Sequence, residues 1–281
     1  MHSHSATSTF NNCPWKHRLL ALGYKEQVID AKSNDRQWGI ALHRALQTLY
    51  TGGDKAAIWQ AFVEAYPVDL DAEDKLRTQE AAHETLAAYM VRWCMDDKNW
   101  EVLASEFHNP EDEREAEGHL VIDLVMKHKA SSSIYFWDHK VKRKWDGSGK
   151  SYELDAQLSR YASYVKERWG DCAGALVNVI VPSHRERKWK DRPAGWDVRL
   201  DRVMFSRTSD QIEAWRQSQG DWEALMAMAD EGGVWPKHYG PLCSYCSFFS
   251  GCYGQAQGSG MEIFDSLYRP SVPIQIEEVE E

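Results

Sequence analysis

Two short stretches decide how this chain is read: His119-Leu120-Val121-Ile122-Asp123-Leu124-Val125 and, after a polar turn, Ile134-Tyr135-Phe136-Trp137-Asp138-His139-Lys140. Each is an apolar run of strand length, bounded by turn residues. Asp123 lies inside the first and Asp138 ends the second. A carboxylate within an apolar strand is costly unless it is paired, hydrogen-bonded or bound to a metal. Residues i and i+2 of a strand share a face, so Asp138 and Lys140 point into one cavity. Two carboxylates on adjacent strands with a lysine beside them suit a hard divalent cation, Mg2+ or Mn2+, which takes oxygen ligands and keeps water. Such a cation would activate a water and neutralise charge on a phosphodiester, while Lys140 positions the nucleophile or stabilises the pentavalent state. Glu106, at the end of the preceding strand, is a further acid near the site. The plain alternative is a structural Asp–Lys pair at a strand end.

Working outward, Val102 to Phe107 is a third strand ahead of these two. The helical period returns from about Tyr152 to Trp169, with Leu154, Leu158, Tyr161 and Val165 on one stripe and Gln157 and Tyr161 four apart on one face. Ala175 to Val181 reads as a buried strand and Asp197 to Phe205 as an edge strand. Residues 210–228 are helical. Before the strands come helices from Pro14 to Leu22, stopped by Gly23, from Arg36 to Tyr50, and to about Tyr66. A long helix follows, with Asp71 as its cap and Leu76, Leu86, Met90 and Trp93 along it. The first ten residues read as frayed. The fold class is α/β, with one central mixed sheet flanked by helices.

The 281 residues suit one large domain or two small ones, and 43% hydrophobic with 27% charged residues excludes disorder of the whole chain. No apolar run is long enough to span a bilayer and the N-terminus has no signal-like apolar core, so no membrane association and a cytoplasmic location are expected. The formal charge of −10 argues against a nonspecific polyanion binder. The average hides two basic runs, Lys140, Lys142, Arg143, Lys144 and Lys150, then Arg185, Arg187, Lys188, Lys190 and Arg192, and an acidic end at residues 277–281. Trp145 and Trp189 interleave with the basic runs and could stack on unpaired bases, while Lys142, Arg143 and Lys144 could neutralise phosphates.

Of six cysteines, Cys243, Cys246 and Cys252 cluster in Cys-x2-Cys-x5-Cys, and Cys13 opens the first helix in Cys13-Pro14-Trp15-Lys16. Four thiolates make a natural zinc or iron–sulfur site that ties the two ends of the chain together. Cys94 and Cys172 read as isolated small apolar residues.

The set Gly39-x3-His43-x2-Leu46, Gly118-x4-Asp123, Asp138-x-Lys140 and Gln157-x3-Tyr161, in this order across roughly residues 36–182, resembles the RecB-like branch of the PD-(D/E)XK nuclease superfamily. The resemblance implies a restriction-endonuclease-like core with an N-terminal helical insertion and a cysteine-stapled C-terminus. It implies that His43, Asp123 and Asp138 with the His139 carbonyl hold the metal, that Lys140 is catalytic with the two aspartates, and that Gln157 and Tyr161 contact DNA or support the site. The second acid of the signature is often Glu; here it is Asp138. The flanking Cys13 and Cys243, Cys246, Cys252 resemble those of the AddB-type helicase–nuclease and the small CRISPR-adaptation nuclease, which implies a [4Fe–4S] cluster, with Zn2+ the alternative. No Gly-x4-Gly-Lys-Ser/Thr phosphate loop is present.

The expected organisation is one nuclease domain over residues 1–269, with a helical part at about 14–98, a core at about 99–207, and a helix and cysteine cluster at about 208–254, then an acidic tail at 270–281. The expected activity is metal-dependent hydrolysis of DNA, as an exonuclease on ends or single strands. DNA is the partner, with recombination, replication or CRISPR-adaptation proteins beside it. The alternatives are a non-catalytic DNA-binding or adaptor protein on a nuclease fold, and a zinc-stabilised interaction module.

Overall fold

The computed structural model describes residues 4–25, 33–66, 76–108, 120–185 and 195–268. Gly118, Asp71, most of the second basic run with Trp189, and the acidic tail lie outside them. The chain divides into two compact units, Ala31–Ser218 and Met1–Asp30 with Gln219–Glu281. None of the described helices is long and apolar enough to cross a membrane.

The larger unit is built on five strands, β1 (Trp100–His108), β2 (Val121–His128), β3 (Ile134–Val141), β4 (Gly174–Arg185) and β5 (Gly195–Ser206), in spatial order β1-β2-β3-β4-β5. All neighbours are antiparallel except β3 and β4. A parallel pair needs a crossover, and helices α6 (Lys150–Glu153) and α7 (Ala156–Trp169) supply it. This is the α/β arrangement expected, with a mixed central sheet. Its first face is covered by α7, whose Leu158, Tyr161, Ala162 and Val165 pack on Ile122, Phe136, Val177 and Val179. Its second face meets helices α3 (Ser33–Tyr50), α4 (Lys55–Ala65) and α5 (Gln79–Trp93), whose Trp38, Leu42, Phe62 and Tyr89 form a core with Ile180.

Several local expectations change. The helix expected from Tyr152 is broken: Leu154 sits in the gap, 90% exposed, because Asp155 caps a new helix by accepting from the Gln157 and Leu158 amides at 2.7 and 3.1 Å. The cap of α5 is Thr78, which accepts from the Ala81 amide at 3.0 Å. β3 does not end at Asp138 but continues to Val141, since parallel pairing with β4 runs on to Val141 opposite Ile180. β5 is the edge strand foreseen, though longer.

In the smaller unit, residues read as frayed form α1 (His4–Asn12). Tertiary contacts hold it: Phe10 meets Trp222 and Trp235 edge-on, and Gln219 donates to the Thr7 hydroxyl at 2.9 Å. Helix α2 (Pro14–Ala21) stops where expected, with Gly23 at φ 81° and the Tyr24 amide bonded back to the Leu19 carbonyl. This unit also holds the second half of α8 (Ser209–Gly232), which meets Phe10 through Trp222, and α9 (Phe249–Ala256) and α10 (Glu262–Leu267), packed around Leu19, Tyr24, Phe248, Phe264 and Tyr268.

One glycine bears on the sheet. Gly174 opens β4 at φ 151°, and a Cβ there would lie 2.0 Å from the Phe205 carbonyl oxygen of β5. Gly174→Ala is expected to destabilise the protein by about 2 kcal/mol or more through strain and backbone displacement. Urea denaturation checks this; an unchanged midpoint would show that β4 and β5 do not approach so closely.

Candidate functional site

The ladder between β2 and β3 pairs Leu124 with Trp137 and runs from there toward the connecting turn. Beyond that pair, Asp123 and Asp138 occupy the diverging ends. The main-chain N–H of His139 donates to Asp123 Oδ2 at 2.7 Å, so a side-chain carboxylate takes the place of a ladder carbonyl. The other oxygen, Oδ1, lies 3.1 Å from Nδ1 of His43, presented by α3.

Asp138 faces the other side of β3. Its carboxylate is buried, 5% exposed, and accepts from the Lys140 ammonium at 3.0 Å through Oδ1. The ammonium also lies 2.9 Å from Oδ2, so both carboxylate oxygens face the same cation. Lys140 donates further to Gln157 Oε1 at 3.1 Å, and Gln157 Nε2 donates to the Tyr161 hydroxyl at 2.8 Å. The i, i+4 spacing on α7 thus places Gln157 on the lysine and Tyr161 behind Gln157. The four motif segments, far apart in the chain, converge within one unit.

Their charges act on one another. Burial raises the Asp138 carboxyl, and with the nearby Asp123 charge it reaches about 6, although Lys140 works against the rise. Burial also tends to raise Asp123, but the charge and hydrogen bond of His43, with His139, outweigh it and bring it down to about 2. At His43 burial opposes the imidazolium, yet Asp123 and Asp138 prevail and lift its pKa above the ordinary value. At Lys140 burial likewise disfavours the charge, and Asp138 and Asp123 outweigh it, so the ammonium persists at neutral pH.

The donor set fits a hard divalent cation: two carboxylates of strongly perturbed acidity beside an imidazole whose Nε2 is not used by Asp123. Among the described residues, no three His, Cys, Asp or Glu side chains are already gathered as an ion cage; here each carboxylate faces its own cationic partner. Glu106 sits in β1 between Ser105 and Phe107, which pair with Leu124 and Ile122, and so lies across from Asp123 at φ 44°. With His43, Gln47, Asp123, Leu124 and His139 it lines a cavity of about 10 Å3, the size of one water.

The basic run after Lys140 is only partly free. Arg143 pairs with Asp35 at 2.6 Å, Lys142 lies 5.7 Å from the centre of the Tyr152 ring, and Lys144 is exposed. Trp145 is half-buried and packed on Tyr152.

In the smaller unit, Cys13, Cys243, Cys246 and Cys252 line one cavity of about 420 Å3. Burial pushes the Cys252 thiol up to about 11, with the other three thiols adding to the rise against Lys237. Cys172 is buried and Cys94 exposed, apart from this set.

Four residues missed in the sequence belong to the surroundings of the site. Gln47 is one helical turn after His43, a spacing that was visible. Asn178, a lone amide within the apolar run Ala175 to Val181, was visible too. Asn178 meets His139, Arg202 meets Asn178, and Asp97 meets Arg202; the last two carried no sequence signal.

Because the folded pKa of Asp138 stands above the ordinary carboxylate value, its neutral form is favoured on folding. That stability is complete below pH about 4 and is lost as the pH rises through about 6. The melting temperature in a chelator is expected to fall across this window, and Asp138→Asn to remove that part of the fall. A melting curve that changes equally in the variant would detach the effect from Asp138.

The family model for the PD-(D/E)XK nuclease superfamily matches residues 2–253. No curated protein matches the chain. Among solved structures it is similar to a candidate exonuclease from Eubacterium rectale, at 14% identity over 89% of this chain and 87% of that one, with a TM-score of 0.47. With the match covering most of its length, the chain belongs to the PD-(D/E)XK nuclease superfamily.

Proposed function

We propose that this nuclease is a divalent-metal-dependent deoxyribonuclease of the RecB-like branch, acting on DNA ends or single strands. The observation that carries the reading is the convergence of His43 and Asp123 with the Asp138–Lys140–Gln157–Tyr161 chain at the point where β2 and β3 part. His43, Asp123, Asp138 and the His139 carbonyl are the groups to hold Mg2+ or Mn2+. Bound there, the cation supplies charge neutralisation of the phosphodiester and a water of lowered pKa. Lys140 remains protonated between Asp138 and Gln157 and is 24% exposed, so it can donate to a phosphate oxygen as negative charge develops. Gln157, anchored on Tyr161, fixes the direction of that ammonium. Lys142, Arg143 and Lys144 are the cations that follow for the flanking phosphates, with Arg143 also paired to Asp35.

Asp123→Ala, Asp138→Ala and Lys140→Ala are each expected to lower cleavage of end-labelled single- and double-stranded DNA by about 100-fold or more in Mg2+ or Mn2+, with circular dichroism unchanged. A folded variant that keeps full activity removes that residue from the mechanism. A circular substrate alongside separates end-dependent from internal cutting: its survival supports an exonuclease, its nicking an endonuclease.

We further infer that Cys13, Cys243, Cys246 and Cys252 hold a [4Fe–4S] cluster, supported by their shared cavity. The cluster's part is structural, because metal-binding energy becomes folding energy where a site joins distant segments. Anaerobically purified protein is expected to absorb broadly in the visible range and to contain iron and sulfide. Cys243→Ala or Cys252→Ala should lose both and unfold at lower temperature. Stoichiometric zinc in colourless protein would assign Zn2+ instead.

A further inference from the structure

His139 stands between the two proposed catalytic residues of β3, but its side chain points to the opposite face of the sheet. There the strand registers place three polar residues abreast: His139 opposite Asn178 on β4, and Asn178 opposite Arg202 on β5. Side-chain hydrogen bonds join them. Arg202 Nε donates to Asn178 Oδ1 at 2.6 Å, and Asn178 Nδ2 lies 3.3 Å from His139 Nδ1. The far end is anchored as well. Arg202 donates to Asp97 Oδ1 at 2.8 Å, and its guanidinium lies 4.1 Å from the centre of the Trp93 ring and 4.2 Å from that of Trp137. Asp97 Oδ2 accepts from the Tyr50 hydroxyl at 2.9 Å, and the Tyr50 ring stacks on His139 with centroids 6.0 Å apart. The chain of contacts therefore closes on itself around the imidazole.

Donor and acceptor logic reads one proton position from this chain. A guanidinium only donates, so the Asn178 atom facing Arg202 is the oxygen. The amide nitrogen must then face His139, and an NH2 group requires an acceptor. Nδ1 is that acceptor, so the imidazole carries its proton on Nε2. Asn178 and His139 are almost wholly buried, where a donor set against a donor is costly. Nε2 itself is buried, with no hydrogen-bond partner among the described residues.

We propose that Asn178 and Arg202 are positioning residues of the nuclease site: they lock His139 as the Nε2–H imidazole, and thereby hold the His139 main-chain amide that grips Asp123. This rests on the metal-dependent reading above. It explains why a buried Arg–Asn–Asp arrangement lies beneath a strand whose working side chains face the other way. Outer groups that orient a ligand are commonly worth 10- to 100-fold in metal affinity.

The test uses the full-length protein. Nitrogen-15 spectra of the histidine rings, with His139 assigned by its loss in His139→Gln, are expected to show protonated Nε2 and unprotonated Nδ1. Asn178→Asp keeps an acceptor for Arg202 but offers His139 an acceptor too, so the proton is expected to move to Nδ1. Calorimetric Mn2+ titration should give binding about 10-fold weaker or more in Asn178→Asp and Arg202→Lys. Cleavage of both variants should recover toward wild type at saturating Mn2+. A role in stability alone would leave the Mn2+ affinity of folded protein unchanged. A wild-type spectrum with the proton on Nδ1, or folded variants with unchanged Mn2+ affinity, would overturn the proposal. Wild-type protein that neither binds Mn2+ nor cuts DNA overturns the metal-dependent reading itself, and that result is read before any variant is made.

Discussion

Asp138 is a carboxylate placed where water cannot solvate it, and the ammonium of Lys140 is what answers it. Breaking a buried pair by removing one partner leaves an uncompensated charge, which is far costlier than the pair is favourable. The surrounding structure accordingly serves this contact. β3 must continue past Asp138 to bring Lys140 to the same face, and it does so because β4 pairs with it in parallel up to Val141. That parallel pairing in turn requires the crossover through α7, and α7 carries Gln157, anchored on Tyr161, to the lysine.

The two faces of β3 have separate tasks. Asp138 and Lys140 look toward α7 and form the charged side of the site. Trp137 and His139 look toward Tyr50, Trp93 and Arg202, an aromatic and hydrogen-bonded bed. Asp123 joins the faces. Its two oxygens take the His139 main chain and the His43 ring, so a residue of β2 ties the sheet to α3.

The smaller unit shows a different economy. Its core is small, centred on Leu19, Tyr24, Phe248, Phe264 and Tyr268, and it joins segments from both ends of the chain. A small core that unites distant segments gains most from a covalent or metal staple, and four cysteines lie around one cavity within it.

Much of this was legible in the residues. Apolar runs of strand length marked the strands, a period near 3.6 marked α3 and α7, and carboxylates inside apolar strands marked the site, because each pattern reflects a local preference or a local cost. Two expectations failed for different reasons: Leu154 fits a helical stripe, but the Asp155 cap starts a new helix after it, while α1 is held by Phe10 and Thr7 through contacts more than 200 residues away in sequence. The sequence by itself determined the α/β class, the four motif segments and the cysteine set, since residue type and spacing are enough to express them. Only the tertiary structure decided that β2 and β3 part at the two aspartates, that Glu106 and Gln47 face His43, and that Asn178, Arg202 and Asp97 stand behind His139, because strand register and the partner of a buried polar atom are properties of neighbours in space.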